Sequence, residues 1–233
     1  MGPSADEVYD LVYGSKDYRQ EAAIIQRHIA RCCQHAETVL DAACGTGRHI
    51  ACLTEFYQVD GLDLSERLLA IARHRNPASR FWQGDMHSFD LGKRYDVVMC
   101  LFSSIAYANT RERLVQTIKQ FKNHLKPGGL MLIEPWFTPE NWFPGYLDVI
   151  QAENEEMKVS RMSFSESAGK LSVLHFEYLV GTDKGITRFS EKHELGLFRV
   201  EEMLNAFQEV NLAVEYDPQG LTGRGLYLAR RAN

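Results

Sequence analysis

Over its first 136 residues the chain alternates short, nearly continuous apolar runs with stretches whose apolar residues recur at helical spacing. Tyr18 to Cys32, with Ala22, Ile25 and Ile29, reads as an amphipathic helix. Thr38 to Ala43 is a buried strand carrying one acid, and it runs straight into Cys44-Gly45-Thr46-Gly47. Arg48 to Tyr57 can continue as a helix. Val59 to Leu64, Arg80 to Gln83, Tyr95 to Leu101 and Leu130 to Glu134 are the next strands, with helices at Glu66 to His74 and Arg111 to Leu125. Lys126-Pro127-Gly128-Gly129 ends the second of these helices. Strands alternating with helices predict an α/β fold with a parallel, doubly wound sheet.

The pattern changes at Phe137, where Trp142, Phe143 and Tyr146 surround Pro139 and Pro144. Lys158 to Ser165, Leu171 to Val180 and Ile186 to Leu197 alternate with a period of two, which predicts antiparallel strands in an insertion over the cleft. A helix at Val200 to Phe207 and strands at Ala213 to Tyr216 and Leu226 to Arg230 would complete the main sheet. Three segments result: a cap with a ligand-binding region over 1–136, the strand-rich insertion over 137–197, and a closing helix and strand pair over 198–233. Gly220 to Gly225 is expected to be flexible and basic. At the other end, Gly14-Ser15 breaks any helix running through the tyrosine-rich stretch from Asp6 to Tyr18, which would pack or form a mobile cap over the cleft.

Composition narrows the class. With 233 residues, 45% hydrophobic and 24% charged, the chain can bury a sizeable core, and no apolar run nears the roughly 20 residues of a membrane helix. A net charge of -5 gives no general grip on nucleic acid. The five cysteines lack metal-type spacing and read as reduced cytoplasmic thiols; the eight histidines are scattered, so no metal site is expected. Met1-Gly2-Pro3-Ser4 is followed by Ala5-Asp6, without the Ser or Thr that a myristoylation signal places sixth.

Candidate chemistry gathers at the carboxyl ends of the strands, which share one edge in a parallel sheet. Gly45 and Gly47 let the backbone bend and a ligand approach, but Ile50 stands where a dinucleotide fingerprint has its third glycine. Asp63 lies where a Rossmann-like fold puts the acid that binds ribose hydroxyls, and Ser65 is free to cap the helix. Asp85, in Gly84-Asp85-Met86, could accept from an adenine amino group. Phe102-Ser103-Ser104-Ile105-Ala106-Tyr107 and Glu134-Pro135-Trp136 reach the same edge.

Together, Asp41-x-x-Cys44-Gly45-x-Gly47, Asp63, Gly84-Asp85-Met86 and Leu125-Lys126-Pro127-Gly128-Gly129 resemble the class I S-adenosylmethionine-dependent methyltransferases. The resemblance implies a Rossmann-like, seven-stranded mixed sheet with its last strand reversed and S-adenosylmethionine across the first strands. Cofactor contacts would fall to Tyr18, Ala43, Gly45, Gly47, Asp63, Leu64, Asp85, Met86 and Phe102. A narrower resemblance covers nearly the whole chain. Tyr9-x-x-x-Tyr13, Lys16-Asp17-Tyr18, Phe102-Ser103-Ser104-Ile105, Glu134-Pro135-Trp136 and Gly223-Arg224-Gly225-Leu226 are similar to the dTDP-amino-sugar N,N-dimethyltransferases of the DesVI and TylM type. By that match Tyr13 would touch the sugar, Tyr18 the methionine end of the cofactor, and Arg224 the substrate's phosphates. Tyr107, Glu134 and Trp136 would complete the acceptor side, with Tyr13 and Tyr107 orienting the amine or taking its proton. Ala106-Tyr107 departs from the family, where a histidine commonly follows Ser-Ser-Ile-Gly, and the loop from Tyr13 to Tyr18 is short.

The expected partner is a small-molecule acceptor, nucleotide-linked in this reading, with a homodimer formed through the insertion. Alternatives are an N- or O-methyltransferase of another small metabolite, and a protein that binds adenosylmethionine without turnover. A nucleic-acid methyltransferase is disfavoured by the acidic charge and the lack of an Asn/Asp-Pro-Pro-Tyr/Phe/Trp tetrapeptide after the fourth strand.

Overall fold

A computed structural model describes residues 4–232; Met1 to Pro3, with which the myristoylation pattern begins, lie outside the described residues. Five strands form the parallel core of the main sheet: β1 (Thr38–Ala42), β2 (Gln58–Asp63), β3 (Phe81–Gln83), β4 (Tyr95–Cys100) and β5 (Leu125–Ile133). Neighbouring residues on these strands face opposite sides. Leu40 and Val98 pack with Leu114, Ile118 and Phe207 on one side; Val39 and Val97 pack with Ile25, Ile29 and Ile50 on the other. Burial on both faces is why these runs carry so few polar residues.

Helices α1 (Ala5–Val12), α2 (Tyr18–Cys32), α3 (Arg48–Leu53), α4 (Glu66–Arg75), α5 (Arg111–Asn123) and α6 (Val200–Glu209) accompany four further antiparallel strands in the insertion. These are β6 (Leu147–Glu153), β7 (Met157–Ala168), β8 (Leu171–Thr182) and β9 (Gly185–Gly196). The chain closes with β10 (Ala213–Asp217) and β11 (Leu226–Arg230). The seven-stranded sheet has the order β10-β11-β5-β4-β1-β2-β3, and β11, antiparallel to both neighbours, is the reversed strand. Strand order reverses between β1 and β4, so the crevice opens where their carboxyl ends diverge.

Several local expectations change. The helix after the glycine turn stops at Leu53, short of Tyr57. Extended structure in β5 begins at Leu125, with the Pro-Gly-Gly segment forming an irregular start whose register shifts between Tyr95 and Val97. The insertion holds four strands where three were expected: β6 escaped notice because Leu147 and Val149 face outward, opposite Phe164 and Met162. At the amino terminus a two-turn helix precedes Gly14, and its Val8 and Val12 are buried against Val159, Tyr178 and Val180 of the insertion. No described helix is long and apolar enough to cross a membrane.

Candidate active site

The turn after β1 is built around left-handed backbone. Ala43, Gly45 and Gly47 have φ of 62°, 55° and 71°. A side chain at Gly45 would meet nothing within 4 Å, so that position leaves an open cradle beside the backbone. Gly47 does something different. A Cβ there would come within 2.7 Å of Asn76 Nδ2 and 3.2 Å of Ala72, so this glycine allows α3 to pack on α4 and does not line the cavity.

Across the turn, Asp63 Oδ2 accepts from the Gly45 amide at 2.7 Å and Oδ1 from the Ser65 amide at 2.9 Å. Ser65 itself caps α4 by accepting from Leu68 N at 3.3 Å, which leaves Asp63 out of the capping role. Burial raises the Asp63 pKa, against the opposing pull of the Ser65 and Gly45 amides. Behind it, Asp41 is wholly buried and its Oδ2 has no hydrogen-bond partner. Burial first, and the charge of Asp63 second, push the Asp41 carboxyl well above the usual carboxylate range. Asp85 follows β3, with Oδ1 accepting from the His87 amide at 2.9 Å, and Met86 packs beside it.

The carboxyl end of β4 is clamped by the end of β5. Phe102 and Ser103 hold φ of 51° and 63°, unusual for residues with side chains. The Phe102 amide donates to Glu134 Oε2 at 2.7 Å, and Ser103 Oγ donates to the Pro135 carbonyl at 2.7 Å. Glu134 is fully buried, and its Oε1 accepts from Thr222 at 2.8 Å and Arg224 Nη2 at 3.1 Å. The glycine segment between β10 and β11 is thereby tied down: Gly220 and Gly225 form a bridge, and the Arg224 charge is matched by Glu134. That corrects the expectation of a flexible, basic loop.

Helix α1 lies over the turn. Asp10 accepts from Thr46 Oγ1 at 2.7 Å and pairs with Arg75, which fastens the helix to the glycine segment. From this lid Tyr13 packs edge-on against Phe102, ring centroids 5.1 Å apart, and its hydroxyl accepts from Arg161 Nη1 at 2.9 Å. Tyr18 is buried under Arg48 and beside His49, lining a small recess with Asp41 and Gly45, and burial pushes its phenol up to about 12.

These parts enclose one cavity of about 1520 Å³. Its lining includes Tyr13, Ala43, Gly45, Asp63, Leu64, Asp85, Met86, Phe102, Tyr107, Trp136 and Arg224. Glu134 and Tyr18 stand behind that wall. The inner face of the insertion supplies a second wall that sequence reading missed: Arg161 on β7, and Glu191 and His193 on β9. Arg161 is 6% exposed, its Nε has no partner, and it forms no ion pair with a carboxylate among the described residues. Residues 189, 191, 193 and 195 alternate with polar neighbours along β9, so the period of two could have assigned Glu191 and His193 to one face. No group of three or more potential metal ligands occurs among the described residues.

Comparison with known proteins agrees with this architecture. Residues 39–129 match the family described as a methyltransferase domain. A dTDP-3-amino-3,6-dideoxy-alpha-D-glucopyranose N,N-dimethyltransferase of Streptomyces fradiae is 41% identical over 236 residues, covering 97% of this chain and 92% of that protein. The dTDP-3-amino-3,4,6-trideoxy-alpha-D-glucopyranose N,N-dimethyltransferase of Streptomyces venezuelae is 38% identical over 226 residues, covering 95% of each. The crystal structure of Streptomyces venezuelae DesVI superposes with a TM-score of 0.93 at 36% identity over the full length of both chains. The SAM-bound amino pentose methyltransferase CalS10, from Micromonospora echinaspora, gives a TM-score of 0.87 at 34% identity, again over both full chains. A Rossmann-like sheet with a glycine turn and an acid at each of two strand ends defines a class I S-adenosylmethionine-dependent methyltransferase. Within that class, the chain belongs to the family of the sugar N,N-dimethyltransferases.

Proposed function

We propose that this chain transfers methyl groups from S-adenosylmethionine to the amino group of a nucleotide-linked amino sugar. The observation that carries the acceptor class is Arg161, a buried cation on the cavity wall without a carboxylate partner among the described residues. Arg161 lies over the Tyr13 and Phe176 rings without an ion pair among the described residues, and a diphosphate seated against it would add charge-assisted hydrogen bonds. Arg224 lines the same cavity and could add hydrogen bonds, with its charge balanced by Glu134. The names of the relatives from S. fradiae and S. venezuelae support the same substrate class.

The residues present fit S-adenosylmethionine. Asp63 would take the ribose hydroxyls, Asp85 and Met86 the adenine, with Leu64 beside them. Ala43, Gly45, Phe102 and Tyr18 would surround the methionine end, beside the recess that the unpartnered Asp41 oxygen also lines. When bound, the cofactor supplies an activated sulfonium methyl, so the protein's work is to align and desolvate the attacking nitrogen. Tyr13, Tyr107 and Trp136 border that space, while Glu134 holds Phe102 and Arg224 in place. A volume of about 1520 Å³ exceeds the roughly 300–1,000 Å³ of ordinary ligand pockets and suits two ligands together.

We also infer that a second copy of the chain covers the outer face of the insertion, where Leu147, Val149, Met162 and Phe164 form an exposed apolar strip. Five unpaired cysteines suit a reducing, cytoplasmic setting. The test of function is incubation with adenosylmethionine and a panel of dTDP-amino sugars, free amino sugars and plain amines, read by mass in steps of one methyl. Transfer to the nucleotide-linked sugars is expected; transfer only to plain amines, or to carboxylates, overturns the reading.

A further inference from the structure

Tyr107 and His193 reach each other across the cavity, one from the short 3-10 helix Ser104–Ala108 after β4, the other from β9. The Tyr107 hydroxyl is 2.7 Å from His193 Nδ1. On the far side of the imidazole, Nε2 stands 3.6 Å from Glu191 Oε2. A carboxylate in that place favours the hydrogen on Nε2, which leaves the Nδ1 lone pair to accept the phenol proton. The Phe176 ring packs against the imidazole with centroids 5.1 Å apart. The other charged or titratable groups facing this cluster are Tyr178 on β8, Arg161 on β7, Asp63 at the end of β2, and Tyr9 and Tyr13 from the lid.

An aliphatic amine is an ammonium in neutral water and must lose a proton before its nitrogen can attack. Building on the amine-methylation reading, we propose that Tyr107, His193 and Glu191 form the proton relay that deprotonates the acceptor. An N–H bond of the ammonium breaks and its electron pair stays on nitrogen; the proton bonds to the Tyr107 oxygen. In the same movement the Tyr107 O–H bond breaks and its proton bonds to the His193 Nδ1 lone pair. Glu191 balances the imidazolium, which then releases a proton to solvent and resets the relay. Tyr107 is thus the catalytic residue, His193 the proton store behind it, and Glu191 a positioning residue. Burial raises the Tyr107 pKa, so the phenol passes a proton on and does not persist as phenolate. Contact with His193 lowers the Glu191 pKa against the effect of burial, which keeps that carboxylate charged.

The experiment measures kcat/KM against pH for the wild type, Tyr107→Phe and His193→Gln with a dTDP-linked primary amino sugar. Losses of about 10²-fold are expected near pH 6.5, the size of general acid–base catalysis. They should shrink to about threefold or less near pH 9.5, where a sugar amine, acidified by its neighbouring C–O bonds as an α-amino group of about 8 is by its carbonyl, has lost its proton in bulk water. A loss of equal size at every pH, or no loss, overturns the relay. Glu191→Gln should show the same pH profile, a loss in kcat/KM near pH 6.5 that shrinks toward pH 9.5. A Glu191→Gln loss independent of pH also overturns the relay, whereas a wild type that methylates no amine counts against the amine reading itself.

Discussion

The Gly45 amide donates to Asp63 Oδ2 at 2.7 Å, joining the turn after β1 to the acid that ends β2. One carboxylate therefore shapes the turn and faces the cavity that the turn opens. In Asp63→Asn the turn keeps its glycines but loses a charged acceptor. The dissociation constant for adenosylmethionine should rise about 10- to 100-fold, the equivalent of one charge-assisted hydrogen bond. Titration calorimetry measures this directly, and an unchanged affinity would remove Asp63 from the cofactor site.

Arg161→Gln should raise the KM for a dTDP-amino sugar about 10- to 100-fold and lower kcat as well, because Arg161 also donates to the Tyr13 hydroxyl beside the reacting nitrogen. The KM of an amino sugar without a nucleotide should change far less. Steady-state kinetics with both acceptors decides it: equal effects on the two would mean Arg161 is not a phosphate anchor.

Glu134 accepts from Phe102, Thr222 and Arg224 with no exposure to solvent. Glu134→Ala strands the Arg224 charge and frees a strained turn, at an expected cost of about 3 kcal/mol or more in urea unfolding. Adding Arg224→Ala should return part of that loss, with a coupling of about 1 kcal/mol. Additive losses would show that the pair is not coupled.

Asp41 titrates far above an ordinary carboxylate because it is buried, with Asp63 nearby. The folded state then holds the proton more tightly than the unfolded state. The stabilisation this gives is complete below the unfolded value of about 3.9 and is lost as pH rises through the higher folded value. Wild-type stability should therefore fall with rising pH relative to Asp41→Asn. Denaturant unfolding at several pH values above about 4 tests this, and a difference independent of pH would refute it.

If a second copy covers the insertion, light scattering should give a mass near twice 26.6 kDa. Val149→Lys and Met162→Glu together place charges opposite each other on the outer face and should yield a monomer with unchanged circular dichroism. A wild-type monomer would rule out this interface.

What was legible in the sequence was local. The buried runs, the glycine turn, Asp63 ahead of a Ser65 cap, and Asp85 after a short strand each involve neighbours within a few residues. Strand polarity alone then brings their ends to one edge. The second wall was not legible in this way. Alternation along β7 and β9 puts Arg161 on one face of its strand and Glu191 and His193 on one face of theirs, but says nothing of what those faces meet.

By itself, then, the sequence determined the Rossmann-like sheet and the acids at its carboxyl edge, because strand and helix periods and turn chemistry are short-range properties of the chain. Only the tertiary structure decided how the cations and the proton path are arranged. Glu134 takes the charge of Arg224 from 90 residues away, Arg161 meets Tyr13 across 148, and Tyr107 finds His193 across 86. Such pairings depend on where the insertion folds back over the cleft, and a side chain's charge is free for a ligand only when packing leaves it without a partner.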